Sequence, residues 1–489
     1  VADTHVQFFA SSETHSAVIV LMGDRAYKIK KPVNLGFLDF TTLDQRRAVC
    51  HREVELNRRI AADVYLGVAD MIGPDGRPCE HLVVMRRMSA QRRLSALVRD
   101  GGPLDREVRQ IARRVAVFHS SASTGPQIAA EGTRDAICRR WTDSFQQLRA
   151  LASPVLAAGV LDEVESLTYE FLDGREPLFS ARVSDGRVVD GHGDLMADDI
   201  YCLEDGPRIL DCIEFDDRLR WLDQLDDAAF LAMDLEYLGA GELATRYLDW
   251  YLEYSADPAP TALRHHFIAY RAFVRCKVAC LRALQGDDAS RDEAARHADL
   301  TLTHLRAGVI TLTIVGGMPG TGKSTVSGAL ADRVGAVVIS SDRTRKELAN
   351  LSPSESAAAP YGEGIYRPEF TELTYDTMLG RAEELLERGE RVVLDASWTD
   401  QEQREKARAL AARTHSRLSQ LECVAAAGTV VERLRRRAHS VSDADEQVAA
   451  AMAARADLWP ESSVVDTGGD MAVSVQAAVA VWSRTASGG

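Results

Sequence analysis

Apolar positions along the first sixty residues recur with a period of two and then with a helical period. Short β-type runs at 6–9 and 17–21 are separated by a polar stretch at 10–16, which reads as a loop. The turn Met22-Gly23-Asp24-Arg25 leads into a third strand, Ala26-Tyr27-Lys28-Ile29-Lys30-Lys31, stopped by Pro32. Alternation puts Lys28 and Lys30 on one face of that strand. Over 43–60, Val49, Glu53, Leu56 and Ile60 recur at intervals of four, three and four, so Glu53 lies inside the apolar stripe of a helix. A carboxylate there needs a cation, and the preceding strand offers Lys28 or Lys30. The run at 81–85 reads as a further strand. Helices are expected at 105–122, 134–151, 160–172 and through most of 219–305, with a β-like stretch at 180–183.

The pattern changes at 309–315, a continuous apolar run followed at once by Gly317-Met318-Pro319-Gly320-Thr321-Gly322-Lys323-Ser324 and a helical stretch at 324–333. This matches G-x-x-x-x-G-K-[ST] in the strand–loop–helix context the motif requires. Its glycines let successive backbone N–H groups turn inward around a polyphosphate, and the helix N-terminus adds partial positive charge. Lys323 would reach the β- and γ-phosphates and Ser324 would hold Mg²⁺, with Gly317 through Thr325 (Met318, Pro319, Gly320, Thr321 and Gly322 included) forming the nucleotide cradle. Further strands at 336–339, 391–397, 418–424 and 464–467 alternate with helices, the pattern of a doubly wound parallel sheet. The helix ending at Gly308 sets a division into domains 1–307 and 308–489.

Composition narrows the reading. At 489 residues the chain exceeds a single core, and 46% hydrophobic with 27% charged residues is an ordinary globular balance. The net charge of −15 weighs against nucleic acid and anionic membranes as partners. The eight cysteines are scattered without a C-x-x-C pair, which reads as reduced thiols and not a zinc site. No apolar run has the length of a membrane span, and residues 1–14 lack the pattern of a signal peptide. The expected location is the cytoplasm.

A second chemical stretch is His192-Gly193-Asp194-Leu195-Met196-Ala197-Asp198-Asp199, followed by a hairpin at 200–215. Five residues separate two aspartates as in a phosphotransfer catalytic loop: Asp194 would accept the proton of an acceptor hydroxyl and Asp199 would hold Mg²⁺. The hairpin would return a second metal carboxylate, from Asp211 or Glu214. A strand lysine paired with a helix glutamate, as for Lys28 or Lys30 with Glu53, is the ATP-positioning pair of protein-kinase-like folds. Residues 86–89 would then be the hinge that holds adenine.

Carried by Ala26 to Val33, Gly36-Phe37-Leu38-Asp39-Phe40, His192-Gly193-Asp194-Leu195 and Cys212-Ile213-Glu214-Phe215, residues 1–305 resemble the aminoglycoside phosphotransferase-like branch of the kinase-like superfamily. Residues 309–489 resemble small P-loop kinases. The combination resembles a bacterial family in which a phosphotransferase-like domain is fused to a P-loop kinase domain, and it implies an α+β kinase-like fold followed by an α/β P-loop fold. The chain departs from the family in having Asp199 where asparagine is usual and no glycine-rich loop, whose place residues 11–16 take. Spacing back from Asp227 favours Glu214 over Asp211 as the metal ligand. In the P-loop half the resemblance implies Asp342 as acceptor base and Arg345 as its clamp, with Arg433 and Arg437 on an arginine-bearing lid. Asp395, at the end of a buried strand, would hold Mg²⁺ through water. The activity expected is ATP- and Mg²⁺-dependent phosphorylation of a small-molecule hydroxyl, such as that of a sugar, amino sugar or aminoglycoside-like compound, at two candidate nucleotide sites. The alternatives are a single active P-loop kinase with a regulatory or substrate-binding kinase-like half, and an ATP-switched binding protein.

Overall fold

The computed structural model describes residues 9–14, 16–34, 38–152, 155–352, 355, 363–436 and 446–488. They form two compact units, neither continuous in sequence. The first comprises Val1–Ala157, Ser180–Ala259 and Phe267–Thr301, and the second Ala158–Phe179, Pro260–His266 and Leu302–Gly489.

In the first unit five antiparallel strands make one sheet: β1 (Phe9–Glu13), β2 (Ala17–Met22), β3 (Arg25–Lys30), β4 (Tyr65–Ile72) and β5 (Pro78–Arg86), in the order β1-β2-β3-β5-β4. Strand β1 covers part of the stretch expected to be a loop, because Ser11, Ser12 and Glu13 pair with β2 through backbone groups that polar side chains do not disturb. Residues 6–8 lie outside the described residues. The helix Leu43–Ala61 begins at a capping box between Thr42 and Gln45 and packs against β4 and β5. Glu53 is completely buried on its inner face.

Two small antiparallel ladders follow. One pairs β6 (Val188–Asp190) with β9 (Trp221–Asp223), and the other pairs β7 (Ile200–Leu203) with β8 (Gly206–Ile209). The helices Asp105–Ser120, Gln224–Tyr237 and Gly241–Ser255 pack together beside them. Residues 180–183 are helical, within Glu176–Ser184, and not β-like as their sequence suggests. Tertiary ion pairs decide that conformation, since the helix aims buried Arg182 at Asp223 (2.5 Å) and Asp257 (2.7 Å).

The second unit is a five-stranded, wholly parallel sheet with the order β11-β12-β10-β13-β14. Its strands are β10 (Thr311–Gly316), β11 (Ala336–Ser340), β12 (Arg391–Asp395), β13 (Arg417–Val424) and β14 (Ser463–Asp466). Val315, Val393, Leu421, Cys423 and Val465 from the sheet pack with Val326, Leu330 and Ala478 from helices Lys323–Val334 and Met471–Ser487. The helices Pro368–Glu387 and Gln401–Arg413 contact β10 as well, and all six of its residues are buried, so Leu312, Ile314 and Val315 alternate only with the buried threonines Thr311 and Thr313 and not with an exposed polar face. Residues before 308 belong to this unit as well. Arg175, fully buried, donates to Thr414 O (2.9 Å), and Glu170 pairs with Arg417 (2.7 Å).

Candidate active sites

In the first unit, strand β3 and the helix Leu43–Ala61 bring both lysines to one carboxylate. Lys28 lies 3.0 Å and Lys30 2.6 Å from Glu53, each on a different oxygen. Each lysine also holds a second acid, Lys28 with Asp211 and Lys30 with Glu214. Burial opposes the charge on Lys28, but Asp211, Glu53 and Glu214 outweigh it and hold its pKa well above the ordinary lysine value. Two cations thus face three acids, one charge short of balance, and the cluster meets solvent at Asp211, whose side chain is 43% exposed.

The loop that begins at Gly191 leaves β6 and turns at Gly193. Its φ is +87°, and a Cβ there would sit 3.0 Å from Leu219 O. Only glycine takes that backbone without strain. The loop is held by Asp227, fully buried, which accepts from His192 N (2.7 Å) and Gly193 N (2.9 Å) and lies 2.9 Å from His119 Nε2. His119 in turn stands 2.8 Å from the Tyr251 hydroxyl. Burial alone would raise the Asp227 carboxyl; the bonds to His119 and to the loop overcome it and hold the pKa well below the usual range. The sign follows directly: its ionised form contributes stability at neutral pH, and that contribution is lost as pH falls through the ordinary aspartate range and below. Asp227→Ala strands two loop amides and a histidine, so it is expected to cost about 3–5 kcal/mol and to show as a lowered urea midpoint at pH 7. A midpoint within experimental error of wild type would show that the loop does not depend on it.

The carboxylates expected to hold metal, Asp199 with Asp211 or Glu214, come from the loop and from the chain after the β7–β8 hairpin. Leu210 N donates to Asp199 O (3.0 Å), and His192 Nε2 lies 3.0 Å from Leu210 O, joining loop and hairpin. Strand β8 ends at Ile209, short of the hairpin end expected at 215, because the chain reverses at Asp211 with φ +67°. This strained, left-handed aspartate is pinned by its neighbours: its N–H donates to the Tyr65 hydroxyl (3.1 Å), and Cys212 N donates to Asn57 Oδ1 (3.0 Å). Burial, then the charges of Asp211 and Asp194, push the Asp199 carboxyl well above its ordinary range. Burial also raises Asp194, to about 6, against the pull of Arg275. Glu214 is raised by burial and held by Lys30. The carboxylate whose field reaches Asp199 most strongly is therefore that of Asp211, while Glu214 sits with Lys30 and Glu53.

In the second unit, the loop after β10 has three left-handed glycines, Gly317, Gly320 and Gly322, at φ +137°, +86° and +87°. A Cβ on Gly317 would lie 2.5 Å from Cys423 O and 2.7 Å from Thr321 Oγ1. Gly317 N donates to Ser397 O (3.2 Å) and Thr321 N to Met318 O (3.2 Å), which closes the loop around the helix start at Lys323. Asp395, at the end of β12 and buried, interacts with the Ser324 hydroxyl, and its Oδ1 has no hydrogen-bond partner among the described residues. Burial raises its pKa, Lys323 and Ser324 oppose that, and Asp342 adds to it.

A cavity of about 690 Å³ opens beside this loop, lined among others by Pro319, Lys323, Asp342, Arg345, Tyr366 and Gln403. Asp342 is in the first turn of the helix Ser341–Leu348, and Arg345 stands 3.7 Å from it with its guanidinium 4.9 Å from the Tyr366 ring centre. From the helix Ala427–Arg436, Arg433 donates to Thr467 O (2.6 Å), and the Thr467 hydroxyl donates to Thr321 O. Arg433 Nη1 is buried without a hydrogen-bond partner, and a Cβ on Gly322 would meet it at 3.4 Å. A free guanidinium N–H at the phosphate cradle is suited to anionic oxygen. Arg437 lies outside the described residues.

Among the described residues, no three His, Cys, Asp or Glu side chains stand together as a ready-made metal site. Mg²⁺ does not require one, since it binds through one or two carboxylates and substrate phosphates while keeping waters. The all-oxygen pairs Asp199 with Asp211 and Ser324 with Asp395 fit that chemistry. Among the described residues Asp395 Oδ1 has no hydrogen-bond partner, and Asp199 is raised by burial and by Asp211 and Asp194 despite Lys28 and Arg93, so both carboxyls suit a further cation.

Residues 312–459 match the family model described as an AAA domain. Over 479 residues the chain is 42% identical to the uncharacterized protein Rv2004c of Mycobacterium tuberculosis, covering 98% of this chain and 96% of that one. The chain belongs to the family of Rv2004c. Its members are thus alike across both units and not only around the P-loop. Two solved structures overlap the chain in part. A choline/ethanolamine kinase family protein from Mesorhizobium loti is 16% identical, with a TM-score of 0.40, over 63% of this chain and 94% of that one. The GDP complex of wild-type aminoglycoside 2'-phosphotransferase-IIIa is 15% identical, with a TM-score of 0.37, over 62% and 94%. The P-loop half read from the sequence agrees with the family-model match at 312–459.

Within this Rv2004c-like chain the structure adds residues that sequence reading passed over. In the sequence Asp227 marks spacing within the run at 226–230; in the structure it also holds the loop at His192 and Gly193. Tyr65 and Asn57, which fix the backbone at Asp211, come from segments without a motif and are brought in by the fold alone. Gln403 carries no pattern signal; only its burial against the cavity distinguishes it.

Proposed function

We propose that the protein is an ATP- and Mg²⁺-dependent phosphotransferase acting on a hydroxyl of a small molecule, with one nucleotide site in each unit. The observation that carries this reading is the meeting of the phosphate cradle, Lys323 and Asp342 on one cavity. There Asp342 takes the proton of the acceptor hydroxyl, whose oxygen bonds to the γ-phosphorus as the bond to the β–γ bridging oxygen breaks and ADP leaves. Lys323, Arg433 and the loop amides hold the phosphate oxygens, and Arg345 orients Asp342. In the kinase-like unit Lys28, steadied by Glu53, holds the phosphates and Asp194 accepts the proton. Mg²⁺, held by Ser324 and Asp395 in one unit and by Asp199 and Asp211 in the other, would neutralise charge on the β- and γ-phosphates.

Lys28 is engaged by Asp211, which favours a second reading: a kinase-like unit that binds nucleotide but transfers nothing. ADP release with MgATP and a panel of aminoglycosides, amino sugars, sugars and polyols separates the two. If the kinase-like unit is catalytic, Asp211→Asn lowers acceptor-stimulated turnover by at least about 100-fold, while Glu214→Gln lowers it less than about tenfold. Equal, small losses in both variants would favour the non-catalytic reading, and no stimulation by any acceptor would count against phosphotransfer altogether.

A further inference from the structure

One wall of the cavity beside the P-loop takes no part in the chemistry above. It is formed by the start of the helix Gln401–Arg413, with Asp400 as its N-cap. Most polar groups on this wall already have partners. Asp400 accepts from Glu402 N (2.8 Å) and Asp457 from Gln401 N (2.9 Å), so two carboxylates occupy the amides of the helix end. The Tyr375 hydroxyl lies 3.2 Å from Ser397 Oγ and accepts from Trp398 N at 3.2 Å. Gln403 differs. Only 8% exposed, it lines the cavity, and its buried Oε1 has no hydrogen-bond partner among the described residues. Arg345, also 8% exposed and lining the cavity, keeps a buried Nε without an acceptor.

Unmet buried polar atoms are rare in folded proteins, because each forfeits about 1–3 kcal/mol. Two in one cavity, one needing a donor and the other an acceptor, describe a ligand. A hydroxyl group meets both needs, because it donates through hydrogen and accepts through oxygen. The Asp400 and Asp457 caps make the Gln403 wall unsuited to an anion, so the group that meets it is a donor.

We propose that Gln403 is the residue by which the P-loop unit reads its acceptor: Oε1 accepts a hydrogen bond from a hydroxyl of a polyhydroxylated molecule, a sugar or polyol, while Arg345 donates to another of its oxygens. This rests on the reading of that unit as a phosphotransferase. Gln403 does not touch the transferred phosphoryl group, so its contribution falls on acceptor binding and selectivity. A site built to bond a hydroxyl discriminates strongly against the analogue lacking it, because the buried protein group is then left unpaired.

The test uses the full chain with MgATP and D-glucose, D-ribose, D-gluconate, myo-inositol and glycerol, in wild type, Gln403→Leu, Gln403→Glu and Lys323→Ala. For the acceptor whose turnover Lys323→Ala abolishes, Gln403→Leu is expected to raise its KM about 10- to 100-fold, with KM for MgATP unaltered. Gln403→Glu, which keeps an oxygen in the same place, should recover at least half of that loss on a logarithmic scale. One monodeoxy analogue should lose as much in wild type as Gln403→Leu loses on the parent, and Gln403→Leu should no longer distinguish the two. An unaltered acceptor KM in Gln403→Leu overturns the proposal and leaves the phosphotransferase reading standing. So does a loss that Gln403→Glu fails to recover. If Gln403→Leu does not fold, Gln403→Glu decides alone: a preference for the amino analogue shifted by tenfold or more supports the contact, and no shift overturns it. Turnover in wild type no higher than in Lys323→Ala with every acceptor overturns both.

Discussion

Asp194→Asn is expected to abolish phosphotransfer by the kinase-like unit and to make the protein more stable. The amide cannot accept the acceptor proton, and general-base catalysis contributes about 10²- to 10⁴-fold. Stability moves the other way because the Asp194 carboxyl is raised to about 6, chiefly by burial. A raised carboxyl favours folding fully only below its unfolded pKa and loses that contribution as pH climbs through about 6, so at pH 8 the charged group works against the fold. Asparagine removes this penalty. Thermal melts without nucleotide or metal should show a gain of roughly 2–4 °C at pH 8, the response to about 1 kcal/mol in a unit of this size, and little gain at pH 5. In wild type, kcat/KM for this unit should fall about tenfold per pH unit below about 6, as the base becomes protonated. Full activity in Asp194→Asn, or a melting temperature that drops at pH 8, would refute the role.

Lys323→Ala should have the largest effect on the P-loop unit. Lys323 begins the helix behind the glycine loop and is half-exposed, so its removal opens no cavity and stability should stay within about 0.5 kcal/mol of wild type. What it removes is the point charge nearest the β- and γ-phosphates. Titration with a fluorescent ATP analogue is expected to show affinity for that unit falling at least about tenfold, and turnover at least about 100-fold. Wild-type binding and turnover would show that the cradle is not the nucleotide site.

What the sequence makes legible is the chemistry carried by short, local patterns. The phosphate loop is specified by glycines whose positive φ angles no other residue adopts cheaply, so its spacing is visible without a fold. The buried Glu53 is equally readable, because a carboxylate in an apolar helical stripe needs a cation, and only the choice between Lys28 and Lys30 stays open; the structure gives it both. Long-range geometry is what escapes. Asp211 and Glu214 are three residues apart and chemically alike, and the backbone reversal at Asp211 that separates their surroundings is enforced by Tyr65 and Asn57, far away in sequence. Strand β4 escaped because Gly67 interrupts it and Leu66, Met71 and Ile72 are exposed, which blurs its alternation. The helix at 176–184 escaped because the charge pairs that fix Arg182 come from residues 41 and 75 positions later.

The units are interleaved in the chain, which passes between them at 157/158, 179/180, 259/260, 266/267 and 301/302. No single cut therefore yields two intact pieces. A fragment starting at the P-loop strand would leave behind Glu170, the partner of Arg417, and Arg175, whose guanidinium binds the carbonyls of Thr414 and His415. The shorter fragment would have to fold with those carbonyls open to water and an arginine without its carboxylate. For a gene lineage this acts as a ratchet: once helices of one unit are encoded inside the other, recombination can no longer separate the two, and they are inherited, expressed and lost together.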